Sequence, residues 1–470
     1  MTAIVDFLNS ILWGYVLVYG LLAVGVFFTL RLGLLQFRHF NEMIRAIRGS
    51  RESDVHGISP FQALCTSLAS RVGTGNLAGV AVALYLGGAG AIFWMWMVAL
   101  VGMATGYAES TLAQLYKVRD GKGQYRGGPA VYMAKGLKAP WAGGIFAVCL
   151  ILSFGLVFNA VQANSIADAM QGAFHIPKLW VGVAVAFFAG IVIFGGLRSI
   201  VRFAEFVVPF MAGLYVLAAL VVIAMNITEV PGVLATIVKS AFGISEAAGG
   251  VAGSVTAAML NGIKRGLFSN EAGMGSAPNI AATATPAPHH PSSQGLVQAF
   301  GVFIDTLIVC TATAVMILLS GVLEPGSGIT GTKLTQDALQ VHFGAFGAYF
   351  IAIAILFFAF TSIVANYTYA ENALIYLGGG STLGLTLLRL AALGMVVWGS
   401  YEAVITVFNA ADASMGLMAT INLIAIVLLS GTVVKLTKDY LAQRKDGKVP
   451  HFKAQEYPEL AEKIDHTIWR

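Results

Sequence analysis

Apolar runs of membrane-crossing length recur along the whole chain, separated by short polar or glycine-rich stretches. Eleven can be delimited, at approximately 11–33, 61–85, 91–116, 143–171, 179–197, 203–225, 250–282, 296–321, 346–376, 383–401 and 413–436. A helix needs roughly 20 residues to cross a hydrocarbon core, so each run predicts one spanning helix. The connections carry turn chemistry, as in GGAG at 87–90, EPGSGITG at 324–331 and GGGS at 378–381. The segment 34–49, LLQFRHFNEMIRAIRG, mixes apolar and basic residues and is expected to lie along the membrane surface. The charged tail after Tyr440 is expected to be solvated.

Two of the runs are interrupted at their centres. Residues 69–79 read ASRVGTGNLAG, and residues 266–279 read GLFSNEAGMGSAPN. A helix broken in hydrocarbon leaves N–H and C=O groups unpaired at several kcal/mol each, so it survives only where it faces protein, water or a ligand. Close packing of small residues between helices is the plainer account of either stretch alone. Together they say more, because the first opens one set of five spans and the second opens the next set of five. Paired discontinuous helices in corresponding positions point to an inverted-repeat secondary transporter. The chain is therefore expected to be an all-α polytopic membrane protein with about eleven transmembrane helices. One extra span and a basic loop (1–60) would precede a first five-helix repeat (61–225), a second repeat (226–436) and a tail (437–470).

Composition sharpens this. The 470 residues are 57% hydrophobic and only 11% charged, against about 25% charged in soluble domains, and the mean hydropathy is +0.78. The formal net charge of +5 reflects where the cations lie: 21 of the 28 Lys and Arg fall on one side of the membrane, and only Lys178, Lys239 and Lys333 on the other. The basic side is cytoplasmic, which sets the N-terminus outside and the C-terminus in the cytoplasm. Membrane orientation accounts for the charge, and no basic soluble domain suggests nucleic-acid binding. The first run follows MTAIVDFLNS, which has no Lys or Arg and no cleavage motif after it, so it reads as a span rather than a signal peptide. Cys65, Cys149 and Cys310 lack metal-ligand spacing and read as small core residues. His289 and His290 have no ligand spacing around them. No nucleophile–base constellation marks an enzyme, and the lack of a Walker motif argues against ATP-driven transport.

Four stretches carry a family resemblance. GGAGAIFWMWMVALVG (87–102) resembles the signature of the alanine or glycine:cation symporters, the bacterial sodium:alanine carriers. SRVGTGNLAGVA, RGLFSNEAGMGSAPN and FIDTLIVCTATA (303–314) resemble that family as well. The resemblance implies a fold like that of the bacterial leucine transporter (LeuT-like, five plus five helices). It also implies sodium-coupled uptake of alanine or glycine across the bacterial inner membrane.

Candidate site residues follow from both sources. The backbone amides of Gly73, Thr74 and Gly75 are placed to receive a substrate carboxylate at a half-helix N-terminus. Asn76 either joins that site or caps the broken helix. Gln162 stands between Asn159 and Asn164 in FNAVQANSIA; three amides in one span need partners, and Gln162 is expected to contact substrate or bond a neighbouring helix. Phe268, Ser269 and Met274 resemble pocket-lining positions of LeuT-like carriers, with ordinary packing as the alternative. The adjacent hydroxyls of Thr361 and Ser362 resemble the sodium ligands of that fold, completed by the carbonyls of Ala69, Val72 and Phe358, with a bond to the carbonyl four residues back in their own helix as the alternative. Oxygen ligands suit this hard cation. Arg71 within a span is a functional hypothesis by default: it either snorkels or bonds the carbonyls of the broken helix, or it pairs with Asp305 or Glu271 and stands where some relatives hold a second sodium. Glu109 and Glu371 are expected in gate salt bridges. Proton coupling through Asp305 or Glu271 is the alternative, followed by an ion channel, though a chain with its own internal repeat is expected to function as a monomer.

Overall fold

The computed structural model describes residues 2–49, 51–244, 255–460 and 462–470. Among the described residues eight helices are long and apolar enough to span a membrane: α1 (Ala3–Arg31), α5 (Gly90–Leu115), α7 (Pro140–Phe174), α9 (Gly196–Met225), α13 (Pro291–Ser320), α15 (Ala345–Tyr376), α16 (Thr382–Tyr401) and α17 (Val404–Leu428). The shorter α8 (Lys178–Phe194) and two interrupted spans bring the described spans to eleven. The first interrupted span is α3 (Pro60–Arg71) and α4 (Gly75–Gly87); the second is α11 (Val255–Asn270) and the single turn α12 (Pro278–Ala281). Of the span expected at 250–282, residues 250–254 lie outside the described residues. Between spans stand α2 (Phe40–Arg48), a hairpin of β1 (Val118–Arg119) and β2 (Tyr125–Arg126), α6 (Pro129–Gly136), α10 (Val230–Ala241) and α14 (Gly331–Phe343).

Local chemistry sets the ends of the broken helices. Ser59 caps α3 by accepting the N–H of Gln62, whose side chain accepts the N–H of Ser59 in return, and Pro60 supplies a preset φ at the first position. The helix stops at Val72, which turns to ψ 83°. In the second break Gly273 and Gly275 take φ of +87° and +83°, conformations that a Cβ would strain.

Packing divides the spans into two groups. Helix α5 lies against α13 and α11, and α11 against α4, forming a bundle around the two breaks. Helix α7 packs on α15 and α16, and α8 on α16, as a separate scaffold. Helix α3 bridges them through α9 and α15.

Two expectations are corrected. The last span begins at Val404 rather than 413, because Asp412 sits inside it, 2% exposed and paired with Lys264 and Arg265. It ends at Leu428, and a separate helix α18 (Ser430–Lys445) follows. The tail is not solvated: Phe452 and Trp469 are fully buried, and Tyr457, Leu460, Ile464 and Ile468 nearly so. The Trp469 indole donates to the Leu115 carbonyl at the end of α5 (3.0 Å), and the Phe452 N–H to the His289 carbonyl (2.9 Å).

Candidate functional site

The two breaks face each other at the centre of the bundle, and the side chains named below for them are buried. In the first, the Asn76 side-chain carbonyl accepts the Gly73 N–H (2.9 Å). Thr74 sends both its N–H (3.0 Å) and its hydroxyl (2.7 Å) to Oε1 of Gln162 on α7. A neutral amide oxygen therefore sits on the N-terminal donors of the half-helix, a position that favours negative charge. Gly75 lies close under the second break: a Cβ there would meet the Phe268 ring and the Ser269 Cα, each at 3.1 Å.

Residues Gly75–Gly79 and Phe303–Cys310 both form π turns. Such turns expose backbone groups and recur at functional sites. They bring Asn76 to Asp305: Nδ2 donates to the Asp305 carboxylate (2.7 Å) and to its carbonyl (3.1 Å). Ser269 (2.8 Å) and Thr306 (2.7 Å) donate to the other carboxylate oxygen. Phe268 stacks between Phe158 (5.0 Å) and Phe408 (5.7 Å). Met274 is fully buried in the turn after Glu271, with its N–H on the Glu271 carbonyl (3.1 Å).

On α15, the Ser362 hydroxyl reaches the carbonyls of Ala69 (2.8 Å) and Phe358 (3.0 Å), and Thr361 reaches Phe358 (2.8 Å). Four of the five expected sodium ligands thus converge, and the fifth, Val72, is the fully buried residue at which α3 ends. Every contact atom in the group is a hard oxygen.

Arg71 does not pair as expected. Its Nη1 donates to the Gln298 carbonyl on α13 (3.2 Å), and among the described residues no carboxylate lies within 4 Å of it. Glu271 instead accepts the hydroxyls of Ser70 (2.6 Å) and Ser276 (2.5 Å). Among the described residues Glu109 forms no gate ion pair either: it accepts the Gly273 N–H (3.1 Å) and the Asn422 amide N–H (2.8 Å), holding the second break to α5. Glu371 does form an ion pair, with Arg126 (3.4 Å).

Both ends of the site are closed. On one side Arg265 makes two bonds to Asp412 (2.7 and 2.6 Å), Lys264 a third (2.7 Å), and the Arg265 guanidinium lies over Phe268 and Phe408. On the basic side Ile58 pairs with the strand-like residues after α12, and Asp54 accepts from Tyr125 and Thr285. There Lys117 donates to the Ala284 carbonyl (2.8 Å). The sequence did not disclose the Arg265–Asp412 pair or the Lys117 ammonium over the Trp469 ring, 5.3 Å from its centre. An ionisable residue within an apolar run was the available signal for the first.

Eleven spans, with two broken at buried, mutually facing polar turns, define a secondary transporter of the five-plus-five inverted-repeat class. A manganese transporter from Eremococcus coleocola shares the fold, with a TM-score of 0.52 and 13% identity over 77% of this chain and 76% of that one. The chain belongs to the sodium:alanine symporter family, whose model matches residues 1–454. It is 50% identical to the amino-acid carrier protein AlsT of Bacillus subtilis, over 97% of this chain and 96% of that protein. It is 49% identical to the probable sodium/glutamine symporter GlnT of the same organism, over 96% and 92%. The protein is a transporter, not an enzyme.

Proposed function

We propose that the protein imports a small neutral amino acid, alanine or glycine first, together with sodium, across the bacterial inner membrane, as a monomer with its N-terminus outside. The observation that carries this reading is the Thr74–Gln162 contact beside the Ser362–Ala69 contact. A substrate carboxylate takes the Thr74 donors from the Gln162 oxygen, freeing the amide to turn onto the substrate. A sodium ion takes the lone pairs of Thr361 and Ser362 and the carbonyls of Ala69, Val72 and Phe358; the two hydroxyls now bond the Ala69 and Phe358 carbonyls. Since α3 carries Ala69 and α15 carries Thr361, the ion ties bundle to scaffold and biases which side opens. The Phe268 ring closes over the substrate side chain and favours a methyl group or hydrogen.

Proton coupling is the second reading. Asp305 favours it: the carboxylate is fully buried, accepts from Asn76, Ser269 and Thr306, and has no cation within 4 Å among the described residues.

Uptake of labelled L-alanine into proteoliposomes at fixed pH, with and without an inward sodium gradient, tests both. Sodium-dependent accumulation, competed by glycine better than by glutamine, is expected. Accumulation driven by a pH gradient without sodium moves the coupling to Asp305, and failure to accumulate either amino acid overturns the substrate assignment.

A further inference from the structure

On the basic face, a cavity of about 470 Å³ opens between the β1–β2 hairpin and the ends of α9, α15 and α16. Its charged lining is Lys122, Arg126, Arg198 and Arg389 against Asp120 and Glu371. The carboxylates are both committed to one cation, since Arg126 holds Asp120 at 3.1 Å and Glu371 at 3.4 Å. Burial pushes the Asp120 carboxyl up, but the Gln124 N–H and the Arg126 guanidinium outweigh it and hold it below the usual carboxylate range. Asp120 thus stays ionised and spent on Arg126. No carboxylate lies within 4 Å of the Lys122 ammonium or of the Arg198 and Arg389 guanidinium groups among the described residues, though Asp120 does accept the Lys122 backbone N–H. Three cations therefore face one concave space without a counter-ion.

Orientation rules call for cations on this face, but not for a cavity, nor for a fixed guanidinium inside a span. Arg389 is fixed: Nε donates to the Tyr367 hydroxyl (3.0 Å), and the guanidinium packs on the Phe194 and Tyr367 rings at 5.1 and 5.8 Å. Its terminal N–H groups keep the planar fork that matches phosphate oxygens. It also stands at a telling depth. Arg389 lies in the second turn of α16, which starts at Thr382, and at 1.5 Å per residue that is about 10 Å along the helix. The flanking Leu387 and Leu390 are 58% and 56% exposed, an apolar wall fit for acyl chains.

We propose that this cavity binds a phosphate group, presented either by an anionic phospholipid of the basic-side leaflet or by a soluble phosphate. The apolar wall beside Arg389 favours the lipid. A phosphate here adds a bridge between the hairpin, which carries Arg126, and α16 of the scaffold.

Purified protein is titrated with phosphatidylglycerol, phosphatidylcholine and inorganic phosphate, and bound species are counted by native mass spectrometry. Lys122→Ala and Arg198→Ala remove exposed side chains, so the double variant folds; Arg48→Ala, at an exposed cation on α2, removes one charge elsewhere, as each single variant does at the cavity. The expected result is phosphatidylglycerol binding well above phosphatidylcholine, weakened roughly fivefold per cation and roughly 25-fold in the double variant, and unchanged in Arg48→Ala. Phosphate binding with the same losses, and no preference between the lipids, keeps the site and assigns the soluble source. Binding of neither ligand, or binding indifferent to the double variant, overturns the proposal.

Discussion

Gly73→Ala is the sharpest test of how the two halves of the site depend on each other. A Cβ built at Gly73 falls well inside contact distance of Ser362 Oγ and 2.8 Å from Gln162 Oε1. Gly73 is not in the left-handed region, so the substitution introduces no backbone strain and acts only by displacing those two side-chain oxygens. One is the proposed sodium ligand and the other the group that occupies the Thr74 donors. Overpacking of a dense interior costs about 1–3 kcal/mol. If that penalty falls on the bound state, the sodium concentration for half-maximal uptake rises roughly 5- to 150-fold, and alanine KM rises with it. Gly79→Ala is the internal control: on the same half-helix, its Cβ meets only the Thr74 carbonyl, at 3.8 Å, an ordinary contact. That variant should transport as the parent does and be equally or more stable, since Ala outranks Gly in helices by up to about 1 kcal/mol. Both are assayed by sodium-titrated alanine uptake in proteoliposomes, with melting temperature in detergent to separate folding from binding. Unchanged sodium and alanine dependence in well-folded Gly73→Ala would refute the placement of both ligands beside that glycine.

Thr361→Ala removes one hard oxygen from the proposed ion site. With bonds to a charged partner worth about 1.5–3 kcal/mol, half-saturating sodium should rise roughly 10- to 150-fold while uptake at saturating sodium is largely kept; equal loss at all sodium concentrations would count against an ion ligand. Asp412→Ala strands Arg265 and Lys264; removing one partner of a buried pair costs about 3–5 kcal/mol, so the melting temperature should fall, and Lys264→Met and Arg265→Met combined with Asp412→Leu should recover most of it. A single variant as stable as the parent would mean that the pair is solvated. His289 reports the docked tail: burial, with the charges of His451 and Lys117, pushes its imidazole down to about 4, and its Nε2 meets the Ile468 carbonyl at 3.2 Å. An unfolded histidine titrates near 6.5, so this contribution is complete above about pH 6.5 and is lost as pH falls towards 4. Hydrogen exchange over residues 452–469 should accelerate across that window, and His289→Gln should flatten the dependence; exchange independent of pH in the parent would contradict it.

What could be read in the sequence and what could not divide along a physical line. The breaks at 72–75 and 271–277 were legible because glycines and polar residues in an apolar run violate the rule that backbone must pair within its own helix in lipid. The same reasoning flagged Gln162, an amide without a local partner. It did not name that partner, Thr74, which is 88 residues away. Asp412 shows the converse. Taken alone, a carboxylate argues against a span; with Arg265 supplied from a helix 147 residues earlier, the last helix runs through it. Arg71 misled for the same reason, since a cation in hydrocarbon seeks a carboxylate by default, yet the nearest acceptor the fold offers it is the Gln298 carbonyl. The π turns that aim Asn76 at Asp305 leave no composition signal. The tail hid its apolar side chains, from Phe452 to Trp469, among charges and outside any single period. Local sequence therefore marks where a polar group needs an answer, and only the tertiary fold decides which distant group gives it. Substitutions at such answering groups, Gln162 and Arg265 first, should thus disturb their partners' sites more than their own helices.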